Sequence, residues 1–256
     1  MGAKGRALPI GVPPCPPTND PRRCLTRTIL METLTFTEHT PVGEIAASAP
    51  LTVGLLLEHG LDFCCGGNLP LAQACAAAGS DVGEVLAALQ GAVLAAPGAG
   101  SDSWVGRPAA ELMAHIVPRY HEPLRAELPR LLEMAERVGR VHGERPGVAD
   151  VLEQVRTFAE VLPAHMDLEE RELFTSGLDP QAAAACMGEL EAEHEDAGAG
   201  LRRLREATND FTLPEEWACN TVRGLWAGLE ALERELMEHV HLENNVLHPA
   251  LARAGC

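Results

Sequence analysis

Aromatic residues are scarce in this 256-residue chain, which has one tyrosine, three tryptophans and five phenylalanines. Sheet-rich folds depend on aromatic and β-branched side chains, which pack well on the pleated surface of a strand. Alanine and leucine dominate this sequence instead, and both favour helices. We therefore predict an all-α protein, in a chain long enough for two folded units.

Long apolar runs and basic clusters are also missing. No run reaches the length that spans a bilayer, and the first residues lack the apolar centre of a secretory signal, so we expect a cytoplasmic protein without a membrane partner. The formal net charge of −17 repels a phosphate backbone, and no group of lysines and arginines forms a local exception. We therefore expect no nucleic-acid partner.

Cysteine is present, but not in the spacing of a small disulfide-bonded scaffold. The eight thiols are Cys15, Cys24, Cys64, Cys65, Cys75, Cys186, Cys219 and Cys256. We predict that they are reduced.

Composition divides the chain into four parts. Residues 1–37 are rich in proline and arginine, and we predict a disordered extension because proline interrupts helix and strand alike. Short helical patterns predict a small helical module at 38–92, and "GAVLAAPGAGSDSW" predicts a linker at 93–106. Four long helical patterns, roughly 107–142, 148–174, 180–207 and 215–251, predict an antiparallel four-helix bundle over 107–253.

Two bundle segments repeat a histidine followed four residues later by a glutamate. "HMDLEERELF" holds His165 and Glu169, and "HVHLENNVLH" holds His239 and Glu243. Residues four apart share one helix face, about 6 Å apart along the axis. Imidazole and carboxylate suit iron, manganese or zinc, and two facing pairs suit a two-metal centre bridged by the glutamates. One such pair alone is weak evidence, because it usually marks a solvated face.

The other two helices supply His121 in "RYHEPLR" and His194 in "EAEHEDAG". The four histidines are separated by 44, 29 and 45 residues along the chain. Residues at one height of an up-down bundle are separated by alternating long and short intervals, which this series reproduces. The spacing therefore predicts that all four imidazoles share one layer.

The alternative is a bundle without metal, whose histidines satisfy hydrogen bonds of the core. Four converging imidazoles and two carboxylates are costly to bury without partners, so we favour metal. The remaining bundle histidines are expected at the surface or behind the ligands; they are His115, His142, His241 and His248.

"DFCCGG" places Cys64 and Cys65 side by side, before glycines that permit an unusual turn. Buried structural thiols are one interpretation. Alternatively, a helix beginning at "LPLAQAC" lowers the pKa of both thiols and equips them for redox chemistry or iron transfer. We favour functional thiols over structural ones.

Taken in order, "HGLDFCCGG", "RYHEPLRAELPRL", "HMDLEERELF", "EAEHEDAG" and "HVHLENNVLHPAL" resemble the repair of iron centres family, hemerythrin-like di-iron proteins with an amino-terminal double-cysteine module. The resemblance covers residues 40–252. It implies two iron ions, with glutamates that bridge them and histidines as terminal ligands. The six residues are His121, His165, Glu169, His194, His239 and Glu243.

The same resemblance implies a stress-response protein that supplies iron to iron–sulfur proteins damaged by nitric oxide or oxidants. Nitric oxide reduction at the two-iron site is an enzymatic alternative, and oxygen binding or sensing is a third. The sequence does not decide whether the protein forms a homodimer. One departure is the presence of Pro118, Pro123 and Pro163 in the ligand helices, where prolines can kink the helix and distort the metal layer.

Overall fold

The computed structural model describes residues 34–96, 98, 100, 102–175 and 179–254. Most of the predicted amino-terminal extension therefore lies outside the described residues, as do residues 176–178 between the second and third predicted bundle helices. The described residues form helices and loops without a strand, which confirms the predicted all-α fold. One isolated β-bridge pairs Pro41 with Pro70.

Four short helices build the amino-terminal module. They are α1 (Val42–Ser48), α2 (Val53–Glu58), α3 (Leu71–Ala78) and α4 (Val82–Ala95). Asp81 caps α4, since its carboxylate accepts a hydrogen bond from the Glu84 amide. Phe36 is buried in the core of this module. The packed chain thus begins before residue 38, and α4 extends two residues past the predicted start of the linker.

Three of the four bundle helices contain a short π-helical segment. The first pair of α-helices, α5 (Ala109–Ile116) and α6 (Glu122–His142), is joined by π1 (Val117–His121). The second, α7 (Val148–Leu168), runs into π2 (Glu169–Leu173). The third bundle helix, α8 (Pro180–Thr208), contains no π segment. In the fourth, α9 (Asn220–Leu242) and α10 (His248–Ala254) are joined by π3 (Glu243–Leu247).

Contacts between neighbouring helices run in a closed ring, in which α6 meets α7 and α9, and α8 meets the same two helices. This is the packing of an antiparallel four-helix bundle. Its apolar core is built from leucine and valine with few aromatic side chains, among them the buried Phe158 and Trp226. Met237 of α9 packs against both this core and the core of the amino-terminal module.

Candidate metal centre

Six buried side chains meet inside the bundle, at the height where three of its helices change to π-helical geometry. They are His121, His165, Glu169, His194, His239 and Glu243, and none is more than 6% exposed. The layer deduced from the spacing of the histidines is therefore present. All four bundle helices contribute to it.

Each π segment carries one of these residues at its edge. His121 ends π1, Glu169 begins π2 and Glu243 begins π3. The wider turn closes with a hydrogen bond five residues back, as from the Phe174 amide to the Glu169 carbonyl at 2.8 Å. Such π bulges occur often at functional sites, because one extra residue in the turn changes the direction in which neighbouring side chains point.

The prolines do not pull the ligand layer apart. Pro118 lies inside π1, Pro123 lies at the start of α6, and Pro163 lies inside α7. His121 and His165 still reach the common layer, so the expected distortion is not observed. The widened turn of π1 already departs from α-helical hydrogen bonding, which is where a residue without a backbone N–H is tolerated.

The first set of donors consists of His121, His239, Glu169 and Glu243, whose ligand atoms lie within 4.8 Å of one another. The Nε2 atoms of His121 and His239 are 2.9 Å apart. His239 Nε2 lies 2.8 Å from Glu243 Oε1, and His121 Nε2 lies 3.3 Å from Glu169 Oε2.

The second set contains His165 and His194 with the same two glutamates. The two Nε2 atoms are again 2.9 Å apart. Glu169 Oε1 lies 3.4 Å from His165, and Glu243 Oε2 lies 3.3 Å from His194. Each carboxylate therefore faces one imidazole pair with one oxygen and the other pair with its second oxygen.

The donor chemistry fits a pair of metal ions. Both oxygens of Glu169 and Oε2 of Glu243 are buried without a hydrogen-bond partner, and an unpaired buried carboxylate is costly. Two nitrogens bound to one ion at about 2.1 Å, at about a right angle, come to about 3.0 Å of each other. The observed separation of each imidazole pair agrees with that value.

Electrostatics within the cluster couple the imidazoles to the carboxylates. Burial opposes protonation, yet contacts with Glu169 and Glu243 raise the pKa of His121 to about 10. Burial likewise opposes protonation of His165, but the contact with Glu169, its main partner, raises the pKa of His165 to about 9. Burial works against ionisation of Glu243, but facing His239, His121 and His194 hold its pKa well below the usual value. The carboxylates are therefore ionised and available as donors.

Three further side chains orient the histidine rings, and the sequence alone did not single them out. His121 Nδ1 donates to Glu170 at 2.8 Å, His165 Nδ1 to Glu193 at 2.6 Å, and His194 Nδ1 to Asn244 at 2.8 Å. A proton fixed on Nδ1 leaves the Nε2 lone pair free for a metal. Glu170 and Asn244 directly follow Glu169 and Glu243 in sequence, which is the only local signal.

The other four bundle histidines are outside both donor sets. His248 is buried, stacks on the His194 ring with centroids 6.3 Å apart, and contacts Glu191. His241 is buried too, with Nδ1 3.2 Å from the Phe63 carbonyl. His115 and His142 are half-buried and contact the rings of Trp104 and Trp217 at a tilt.

The paired cysteines lie against the centre. Cys65 Sγ is 3.3 Å from the backbone carbonyl oxygen of His194 and 3.7 Å from Cys64 Sγ. The hydrogen bond from Cys64 lowers the pKa of Cys65, whereas the contact with Cys65, burial and Asp62 raise the pKa of Cys64. The expectation that the α3 amino terminus lowers both is therefore wrong, because α3 begins only at Leu71 and the thiols act on each other.

An apolar cavity of about 280 Å³ opens beside the donors. His165, His194 and His239 border it, and Phe158 and Leu162 line its walls. The described residues contain no helix with the length and hydropathy needed to cross a membrane.

Two family models match the chain. The one described as "Hemerythrin HHE cation binding domain" matches residues 112–251, and the one described as "Domain of Unknown function (DUF542)" matches residues 38–93. The bundle and its buried imidazoles and carboxylates thus define a hemerythrin-like cation-binding protein.

Individual relatives identify the family within this class of proteins. The iron–sulfur cluster repair protein YtfE of Pectobacterium atrosepticum is 38% identical over 216 residues, which cover 83% of this chain and 96% of the relative. YtfE of Escherichia coli O1:K1 is 39% identical over 213 residues, covering 82% and 94%. The chain belongs to the family of the YtfE iron–sulfur cluster repair proteins, which confirms the resemblance drawn from the five motifs.

Proposed function

We propose that this protein repairs iron–sulfur clusters damaged by nitric oxide or oxidants, and that it supplies iron from a labile two-iron centre in the bundle. The observation that carries the proposal is the pair of buried donor sets that share Glu169 and Glu243. The relatives, which match over most of their length, are iron–sulfur cluster repair proteins, and this supports the repair role. Damaged iron–sulfur proteins are then the partners.

In this proposal His121 and His239 would hold one iron and His165 and His194 the other, and Glu169 and Glu243 would serve both, since the two donor sets share them. Bound iron is both the cargo and, in the ferrous form, a source of one electron per ion. Each donor set offers four side chains without a thiolate, which leaves coordination positions open to other ligands. Open positions make the iron removable.

The surrounding side chains keep this arrangement ready. Glu170, Glu193 and Asn244 hold three rings in the tautomer that presents Nε2. Tyr120 stacks on the His239 ring with the planes 6° apart, and Phe174 stacks on His121. Preset rings let iron leave and return without rebuilding the site.

Cys64 and Cys65 are proposed as the thiols that receive or exchange iron, since Cys65 already contacts the backbone of His194. The predicted cytoplasmic location and the homodimer stay predictions, and so do the predicted domain boundaries.

Repair is tested with an iron–sulfur enzyme inactivated by nitric oxide. The iron-loaded protein is expected to restore more activity than the same amount of free ferrous iron. Glu169→Gln removes the charge of a bridging carboxylate and should abolish the advantage. Glu160→Gln, on the exposed face of the same helix, is the matched control and should retain it. Equal recovery with protein and free iron would refute the proposal.

The apolar cavity favours nitric oxide reduction as a second function. It borders three of the imidazoles and suits a small uncharged molecule. Two nitric oxide molecules, two electrons and two protons give nitrous oxide and water, and two ferrous ions supply the electrons. The expected result is about one nitrous oxide per reduced two-iron protein in a single turnover; no gas would exclude this activity.

Stable oxygen binding without oxidation of the iron would favour the oxygen-carrier alternative.

A further inference from the structure

The turn that carries the paired cysteines contains a third potential ligand, Asp62. Its carboxylate lies 3.3 Å from Cys64 Sγ, and Cys64 Sγ lies 3.7 Å from Cys65 Sγ. All three donor groups are within 4.8 Å of one another. We propose that Asp62, Cys64 and Cys65 form a separate binding site for one divalent cation with affinity for thiolates, such as Zn²⁺, Co²⁺ or Fe²⁺.

The distances agree with tetrahedral coordination. Two sulfurs bound at about 2.3 Å in a tetrahedron are about 3.8 Å apart, and a sulfur and a carboxylate oxygen at about 2.1 Å are about 3.6 Å apart. The turn shows 3.7 Å and 3.3 Å for these pairs. The imidazole pairs of the bundle, at 2.9 Å, are too close for that geometry. The two kinds of site therefore suit different coordination.

The backbone holds the three donors in place without a metal. Asp62 Oδ1 accepts hydrogen bonds from the amides of Cys65 and Gly66, both at 3.0 Å. From the bundle, Asn245 Nδ2 donates to the carbonyls of Phe63 and Cys64, at 3.2 Å and 2.9 Å. Gly67 sits so close to Asn245 that a Cβ at this position would clash with its side chain. The turn is thus clamped to π3, two residues after Glu243.

Binding of a divalent cation at this site conserves both charge and protons. A divalent cation displaces the two thiol protons to solvent, and the two thiolates with the Asp62 carboxylate form a site of net charge −1. Cys64 is buried and Cys65 is half-buried, so little water competes with the thiolates. Thiolate donors favour zinc and other cations of similar softness over magnesium or calcium.

Its position suggests the role of this site. Cys65 Sγ lies 3.3 Å from the carbonyl oxygen of His194, whose ring belongs to the second donor set. The thiols therefore lie directly beside one of the helices that carries the donors. The role of this site as the receiver of released iron rests on the proposed function; its existence as a metal site does not.

Co²⁺ is the probe, because cobalt bound to thiolate gives a near-ultraviolet charge-transfer absorption that cobalt bound to imidazole and carboxylate lacks. Metal-free full-length protein titrated without oxygen should gain this absorption, with a final amplitude that corresponds to one thiolate-bound ion per chain once the two donor sets of the bundle have also been filled. Cys64→Ser/Cys65→Ser should remove it. Cys75→Ser, which alters a buried free thiol of the same module, is the control and should leave it unchanged.

Asp62→Asn tests the third ligand. Asparagine keeps the oxygen that accepts the two amide hydrogen bonds but loses the charge, so the turn should stay folded, as judged by circular dichroism. Co²⁺ binding at the thiolates should weaken at least tenfold. Unchanged affinity would remove Asp62 from the site, and absorption that survives in the double serine variant would overturn the site itself.

The receiving role is tested by the rate at which a chelator removes iron from the loaded protein. Cys64→Ser/Cys65→Ser should lose iron several-fold more slowly than Cys75→Ser at equal iron content, and equal rates would refute the role. If the cobalt titration is normal but cluster recovery fails, only the repair proposal is refuted. Normal recovery without the thiolate absorption would refute only the second site.

Discussion

Individual residues around the metal centre divide into those that donate and those that hold the donors. Asn244 belongs to the second kind, because its Oδ1 accepts the Nδ1 proton of His194. Glu193 and Glu170 do the same for His165 and His121. Loss of such a partner usually weakens metal binding without removing a ligand.

Asn244→Ala should therefore lower metal affinity about 10- to 100-fold, because His194 loses the contact that fixes its tautomer. Competition between the protein and a chelator of known affinity measures the change. Asn244→Asp keeps an acceptor at the same position and should retain affinity within a few fold. Equal affinity of the alanine variant and the unaltered protein would contradict the orienting role.

The pKa values of the imidazoles also predict how the stability of the metal-free protein depends on pH. The pKa of His121 rises to about 10 and that of His165 to about 9 in the fold, above the value of about 6.5 in an unfolded chain. The fold therefore binds these protons more tightly. Their contribution to stability is complete below about pH 6.5 and disappears as pH rises through 9 and 10.

Urea unfolding of the metal-free protein should consequently show a lower free energy of unfolding at pH 9.5 than at pH 6.5. The zinc-loaded protein is the control, since metal-bound imidazoles carry no proton to lose and its stability should not fall over the same interval. A metal-free protein that becomes more stable towards pH 9.5 would contradict the assignment.

At the scale of the helices, one ion pair joins α8 to α9 away from the metal centre. Arg205 donates two hydrogen bonds to Glu233, each at 2.6 Å, and the Glu233 side chain is 6% exposed. Phe211 lies under the Arg205 guanidinium. Removing the arginine would leave a buried carboxylate without its counter-ion.

Arg205→Ala should lower the free energy of unfolding by about 2 kcal/mol, below the 3–5 kcal/mol of a fully buried pair because a third of the arginine is exposed. Denaturant unfolding measures the loss. Arg156→Ala breaks the exposed pair with Glu136 and should change stability by less than about 1 kcal/mol. Equal effects of the two substitutions would show that burial does not matter here.

The π segments are the main feature of the helices that sequence reasoning missed. Helix periodicity located the four long helices to within a few residues, since an apolar stripe and terminal capping residues are local signals. A π turn has no comparable signature. It depends on the hydrogen-bond register of the turn, as in the bond from the Phe174 amide to Glu169, which the packing around the donors sets.

The whole molecule couples metal binding to folding. Six buried donors, two of them carboxylates with unpaired oxygens, converge only in the folded chain, so metal binds the folded state far better than the unfolded one. The apolar core of the bundle contains many buried side chains besides the donors, among them Leu131, Val155 and Leu229. The helices are therefore expected to form without metal.

Removal of metal by a chelator should lower the midpoint of thermal unfolding while the helical circular dichroism at 25 °C is retained. Stabilisation by metal at a thousandfold excess over the dissociation constant is about 4 kcal/mol. Adding back Zn²⁺ to Glu169→Gln should restore less of the midpoint than adding it to Glu160→Gln. Loss of helicity on chelation would show instead that metal is needed for the fold.

By itself, the sequence determined the fold class, the four long helices, and the layer shared by the four histidines and two glutamates. These follow from periodicity, from four-residue spacing on a helix and from interval lengths, all of which act along the chain. Only the tertiary structure decided which imidazoles pair, such as His121 with His239, that Asn244 holds the His194 ring, and that Asn245 holds the turn of the paired cysteines. Those contacts join residues up to 182 positions apart, and their geometry is set by packing between elements that no local pattern records.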